Sequence, residues 1–233
     1  MPPMNETAPV IEPILIASFP RSGNSWTRLI VELITRRPTA GEGDGDWRER
    51  PDQPLLKHLG KEDLYISGEP VAQKRHTLRP EETSRMPLLL IVRDYRDAIY
   101  RHDKKALQRF KLQRINRLAG SYRELLDAFN ACDNRKLLVR YESLVGDSLA
   151  TARRIAQFMG CEERASLVER KLEAYREESV AVYSKLNGSW SKGEAGIQYR
   201  DAYPLPVRAY LDLRLRSLYR QTLAHAAEID ALV

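Results

Sequence analysis

The sequence predicts an α/β fold, a central parallel sheet flanked by helices, and three observations carry that expectation. Short apolar runs at Ile14 to Ala17, Leu88 to Val92 and Leu137 to Tyr141 are each followed by residues of helical periodicity. Strands that alternate with helices in this way pair in parallel and are covered on both faces. The chain has 233 residues, 42% hydrophobic and 30% charged, which suits one sizeable core better than two. In such folds ligands bind at the carboxyl ends of the strands, so chemistry is sought just after each apolar run.

Residues 1–13 are polar and proline-containing and read as a mobile lead-in, leaving 14–233 as a single domain. The first strand closes before Pro20. Trp26, Leu29, Ile30, Leu33 and Ile34, spaced by three and four, then mark a helix. Between them lies Phe19-Pro20-Arg21-Ser22-Gly23-Asn24-Ser25, a tight loop with one glycine. A loop of this kind aims backbone N–H groups, and the positive end of the new helix, at an anion. Arg21, Ser25 and Thr27 add side-chain donors. The generic phosphate-loop pattern GxxxxGK[ST] is not met, because no Gly-Lys-Ser/Thr triplet follows Gly23.

Pro38 to Pro54 is rich in Gly, Asp, Arg and Pro and reads as a loop over a site. Strands are expected at Leu64 to Ser67 and Pro70 to Gln73, then at Leu88 to Val92 and Leu137 to Tyr141. Helices are expected at Arg96 to Phe110, Ile115 to Phe129, Leu149 to Met159 with Ser148 and Gly160 as caps, Arg164 to Arg176, and Val207 to Ala231. Arg93 ends the central apolar run, and its planar fork suits bidentate phosphate binding. From Lys104 onward the basic residues of the same stretch read as a solvated helix face.

Basic residues exceed acidic ones, 38 to 32, for a net charge of +6 that favours an anionic ligand without implying nucleic acid. Two cysteines, Cys132 and Cys161, without metal-ligand spacing, read as reduced thiols in a reducing compartment. The N-terminus has no basic, apolar leader and the longest later apolar run, Leu88 to Val92, is too short to span a membrane, so a cytoplasmic location and no membrane partner are expected. With no metal-ligand spacing at the cysteines, no metal is expected.

Four ordered segments resemble the sulfotransferases that use 3′-phosphoadenosine 5′-phosphosulfate (PAPS). Pro20 to Trp26 is similar to their 5′-phosphosulfate loop, Pro-Lys-Ser-Gly-Thr-Thr-Trp, with Arg21, Asn24 and Ser25 as substitutions. Arg93 matches the Arg of the 3′-phosphate signature, and Arg101 stands where that signature has Ser. Leu137 to Leu144 resembles the strand-Tyr-Glu-Asp-Leu element, aligning Tyr141 with the tyrosine that touches adenine and Trp26 with the aromatic that stacks on it. Ser191-Lys192-Gly193-Glu194-Ala195-Gly196 resembles the late loop Arg-Lys-Gly-x-x-Gly, with Ser191 in place of Arg.

The resemblance implies a P-loop-like three-layer fold, PAPS as cosubstrate with PAP as product, and direct in-line transfer of a sulfuryl group to a hydroxyl or amine. It implies cofactor contacts from Arg21, Ser22, Gly23, Asn24, Ser25, Trp26, Arg93, Arg101, Tyr141, Ser191, Lys192 and Gly193. Lys74-Arg75-His76 resembles the family's Lys-Thr-His triplet, which implies His76 as general base, Lys74 on the transferring sulfonate and Arg21 on the bridging oxygen. His58, also preceded by a lysine, competes with His76; His102 and His225 are the other two histidines. The expected partner is a small-molecule or glycan acceptor, with its identity and the oligomeric state open. The alternatives are a P-loop kinase or NTPase, and a basic nucleic-acid-binding module.

Overall fold

The computed structural model describes residues 11–42, 54–165 and 204–231, with single positions between 168 and 178. Five strands, β1 (Ile14–Ser18), β2 (Thr39–Ala40), β3 (Ala72–Arg75), β4 (Leu88–Val92) and β5 (Lys136–Arg140), form one sheet in the order β2-β3-β1-β4-β5. Eight helices accompany them among the described residues: α1 (Asn24–Thr35), α2 (Leu55–His58), α3 (Pro80–Thr83), α4 (Tyr95–Gln108), α5 (Leu112–Ala131), α6 (Tyr141–Gly146), α7 (Ser148–Phe158) and α8 (Leu205–Asp230). Each strand pair with a described register is parallel, running Leu15↔Leu88 to Ser18↔Ile91 and Leu88↔Lys136 to Val92↔Arg140. Every residue of β1 and β4 is buried, as a parallel sheet covered on both faces requires.

The described residues within Met1–Ile14, Ser25–Gln73 and Asp147–Gly193 form one compact unit, and those within Leu15–Asn24, Lys74–Gly146 and Glu194–Val233 a second. The first unit is organised around Glu32, fully buried on α1. Its carboxylate accepts from Thr39 N (3.1 Å), Leu55 N (2.9 Å), Leu56 N (2.8 Å), the Thr39 hydroxyl and the Tyr65 hydroxyl (2.7 Å). A buried charge is tolerated when its lone pairs are met in this way, and here it ties β2 to the start of α2. Burial, then the charge of Glu32, pushes the Tyr65 phenol far above its ordinary range.

The second unit buries Leu15, Ala17 and Phe19 with Leu90, Val92, Tyr95, Ile99, Tyr122, Phe129, Leu211 and Leu215. α8 is fastened to the start of α4 by a fork: Arg96 gives two hydrogen bonds to Asp212, at 2.7 and 2.8 Å, and the Tyr95 hydroxyl a third at 2.7 Å. The Tyr95, Tyr122 and Tyr219 rings pack beside it with centroids 5.5 to 6.5 Å apart. α4 breaks at Asp103 (φ −145°, ψ 68°), whose carboxylate restarts it by accepting from Ala106 N while pairing with Arg114.

Several boundaries differ from the sequence expectation. Glu62–Leu64 is a 3₁₀ turn, and Ile66 N donates to Arg36 O, so no strand covers Leu64 to Ser67. β3 lies two residues later than expected, because Pro70 has no N–H to give a ladder. β2 falls inside the Pro38 to Pro54 stretch and is too short to show periodicity. Asp147, not Ser148, caps α7 by accepting from Ala150 N at 2.9 Å, which typically contributes about 1 kcal/mol. The expected helix Arg164 to Arg176 lies only partly within the described residues.

Candidate active site

β1 runs into a tight loop and α1 begins at Asn24, so the anion-ready segment is built as the sequence suggests. Two positive φ angles turn the chain there, Arg21 at 68° and Gly23 at 97°. Glycine is required at 23 for a second reason: a Cβ would meet Tyr141 Cδ2 at 2.9 Å and Leu144 Cδ2 at 3.1 Å. The loop therefore rests on the start of α6. Asn24 Nδ2 donates back to Ile16 O (3.3 Å) and Ser18 Oγ (3.2 Å), which fastens the loop to β1. Ser22 is fully buried and its hydroxyl has no partner among the described residues; the same holds for Asn24 Oδ1 and for Thr27 Oγ1 in the first turn of α1. Arg21 is exposed, and Ser25 and Trp26 are half-buried.

Arg93 leaves the end of β4 4% exposed. Its Nη1 reaches Arg21 O at 3.4 Å, its Nη2 is 4.0 Å from the Asp97 carboxylate, and its Nε has no partner among the described residues. The guanidinium lies 4.1 Å over the Tyr141 ring. Burial, then the charge of Arg101, lowers its pKa, so the site holds a cation that its own neighbours compensate poorly. Arg101, half-buried on α4, is thus close enough to Arg93 to repel it.

His76 follows β3 with Nδ1 2.6 Å from the backbone oxygen of Ser18 at the end of β1. A carbonyl oxygen only accepts, so Nδ1 carries the proton and Nε2 is left as the basic nitrogen. Lys74 is half-buried in β3. The structure thus brings the Arg21 to Asn24 loop, Lys74, His76, Arg93, Arg101 and Tyr141 into the second unit. Ser191, Lys192 and Gly193 lie outside the described residues, as does the side chain of His58. His225 is on α8 beside Phe129 and Asn130.

One contributor, Tyr122, went unnoticed in the sequence, and two residues without a role there, Glu142 and His102, gain a place from the structure. The Tyr122 hydroxyl donates to the backbone oxygen of Arg93, and Glu142 Oε1 accepts from Asp94 N at 3.1 Å, so the turn after β4 is held from two sides. Tyr122 carries no motif, since its spacing on α5 is that of any core residue. His102 packs edge-on against Phe19, with centroids 5.5 Å apart. Desolvation and then Arg114 lower its pKa, with Arg21 and His76 adding to the effect. His102 is exposed on α4, close enough to Arg21 and His76 for their charges to act on it.

Residues 12–199 match the family model of the sulfotransferase domain. No curated protein matches the chain in sequence. Among solved structures, retinol dehydratase in complex with androsterone and the inactive cofactor PAP is 18% identical, over 88% of this chain and 80% of that one, at a TM-score of 0.57. Mouse sulfotransferase SULT7A1 complexed with PAP is 16% identical, over 93% and 89%, at 0.59. These two share the fold. The family match covers most of the chain, from before β1 to beyond α7, and so the chain belongs to the sulfotransferase domain family.

Proposed function

We propose that this sulfotransferase takes its sulfuryl group from PAPS and passes it in line to a hydroxyl or amine of a small-molecule or glycan acceptor. The observation that carries the reading is Arg93, a guanidinium buried at a strand end over the Tyr141 ring, whose contacts to oxygen among the described residues are long, to Arg21 O and Asp97, with Arg101 close by. Burying a charge that is poorly paired costs several kcal/mol, about the range seen when a buried pair is broken. A doubly charged phosphate would offset that cost for both arginines. The buried Ser22 hydroxyl, without a partner among the described residues, fits the same chemistry, since a phosphate or sulfate oxygen accepts what it has to donate.

When bound, PAPS supplies a sulfuryl group on a phosphate leaving group. In this reading the N–H groups and side chains from Arg21 to Trp26 hold the 5′ end, with Arg21 and Lys74 against charge developing on the bridging oxygen and the sulfonate. Arg93 and Arg101, with Ser191, Lys192 and Gly193, hold the 3′-phosphate, and Tyr141 and Trp26 flank the base. His76 receives the acceptor's proton at Nε2, held in the basic tautomer by Ser18 O. The ligands held by structural neighbours, retinol, androsterone and PAP, suit a small acceptor beside a bisphosphorylated nucleotide. The reading takes 14–233 as one catalytic domain in the cytoplasm. No described helix is long and apolar enough to cross a membrane.

Thermal shift with nucleotides tests it. PAP should raise the melting temperature by mass action, and ATP with magnesium should do so far less. Stabilisation by ATP with magnesium but not by PAP would overturn the reading and favour a phosphotransferase.

A further inference from the structure

The turn between α4 and α5 shows an unusual choice of residue. α4 ends in a Schellman motif, with Lys111 N donating to Ala106 O (2.9 Å) and Phe110 N to Leu107 O (3.2 Å), so Phe110 occupies the left-handed position at φ 50°. That position favours glycine, because a side chain there crowds the backbone. The same chain closes α2 and α7 with the same pair of bonds and uses Gly60 (φ 65°) and Gly160 (φ 67°). A non-glycine also follows α1, Arg36 at φ 53°, but its side chain is tied inward to Leu64 O (2.9 Å), whereas the Phe110 ring is 48% exposed and so is not there for packing.

Its surroundings say what the ring is for. Leu112, two residues on, is 49% exposed. Lys104, Lys105, Gln108, Arg109, Lys111, Gln113 and Arg117 are exposed around the pair. Lys104 to Arg117 holds six basic residues and no acidic one. An exposed aromatic and a leucine at the tip of a helical hairpin, ringed by cations, complement a surface that is anionic above and apolar beneath.

We propose that the α4–α5 turn docks the enzyme on an anionic lipid surface, with Phe110 and Leu112 entering the acyl boundary and Lys104, Lys105, Arg109 and Lys111 engaging headgroup phosphates. A second copy of the chain is disfavoured, since the patch would face its own charge. A nucleic acid or another polyanion would use the cations but gain nothing from Phe110 and Leu112. The sequence expectation of no membrane partner rests on the lack of a spanning segment, which surface docking does not need. The same helix carries His102 into the active-site neighbourhood, so docking would bring that side of the site close to the lipid.

Co-sedimentation of the full chain with vesicles tests this, with PAP-induced thermal stabilisation measured on the same samples so that failure of docking and failure of the PAPS reading are told apart. Vesicles of phosphatidylcholine mixed with phosphatidylglycerol should bind the protein, phosphatidylcholine alone should bind it far less, and added salt should weaken binding. Lys105→Glu and Lys111→Glu should each reduce binding at least about fivefold. Phe110→Gly should reduce it about tenfold, while leaving the melting temperature unchanged or raised, because glycine relieves the left-handed backbone. A structural role for the ring predicts the reverse, a lower melting temperature with vesicle binding intact, and that result overturns the proposal. So does absence of binding to the anionic vesicles, or binding to heparin as tight as to vesicles and indifferent to Phe110→Gly.

Discussion

His76 Nδ1 lies 2.6 Å from the backbone oxygen of Ser18, so the last residue of β1 sets the tautomer of a histidine that follows β3. Neighbouring strand ends thereby do more than frame the site. One of them decides which ring nitrogen carries the proton and which is left basic.

His76→Ala should accordingly lower turnover by about 10² to 10⁴, the usual worth of a general base. PAP affinity and melting temperature should stay near wild type, because in this reading the ring meets the acceptor and not the nucleotide. His102→Ala should cost much less, since its ring packs on Phe19 and its contribution is to the local field. Retained activity in His76→Ala with loss in His58→Ala would move the base to Lys57-His58.

Arg93 gives a test with two opposite readouts. Arg93→Met should weaken PAP by about 1.5 to 3 kcal/mol, roughly tenfold or more, and leave adenosine 5′-monophosphate nearly unaffected. The ligand-free protein should be no less stable, because a buried cation with oxygen contacts of 3.4 and 4.0 Å over the Tyr141 ring is replaced by an apolar chain of similar length. Equal losses for both nucleotides, determined by calorimetry, would make Arg93 a structural residue.

The sheet and the loop were legible because both rest on local signals. β4 spans Leu88–Val92 as its five apolar residues indicate, and a lone Gly23 between a strand and a helix marks a turn. Arg93 was legible for the same reason, as the residue that ends such a run. What escaped was set by distant parts of the chain. Tyr122 supports Arg93 from 29 residues away and carries no pattern of its own; Tyr141 was marked by its motif, but its crowding of Gly23 across a far longer separation was not. The break of α4 at Asp103, beside His102, has no local signal either, since the periodicity of the segment continues through it.

Asp212 provides a prediction in acid. Burial works to raise its pKa, but the hydrogen bonds from Arg96 and Tyr95 outweigh burial and the carboxyl ends below its ordinary value. A carboxylate depressed on folding contributes stability that is present above its unfolded pKa of about 3.9 and is lost as pH falls through the folded value. Asp212→Asn should therefore cost about 1 to 3 kcal/mol at neutral pH, judged from hydrogen bonds to charged groups. The gap between variant and wild type should close below about pH 4 in urea titrations. A gap that persists unchanged in acid would mean that packing of α8, and not the charge, is what Asp212 supplies.

Gly23 links stability to ligand binding through a single contact. Alanine there would hold φ at 97° and place its Cβ 2.9 Å from the Tyr141 ring and 3.1 Å from Leu144. The backbone term alone costs about 1 to 2 kcal/mol, and forcing atoms into a filled space typically adds about 1 to 3. Tyr141 is the neighbour able to swing away, but its ring lies under the Arg93 guanidinium at 4.1 Å. Gly23→Ala should thus lower stability by about 2 to 5 kcal/mol, combining those two terms, and should weaken PAP as well. Pairing it with Tyr141→Ala separates the terms: the double variant should recover the clash with the ring while keeping the backbone strain, so the two substitutions should be markedly non-additive in denaturant melts. Strict additivity would show that the loop and the tyrosine act independently, and that the route from Gly23 through Tyr141 to Arg93 does not operate.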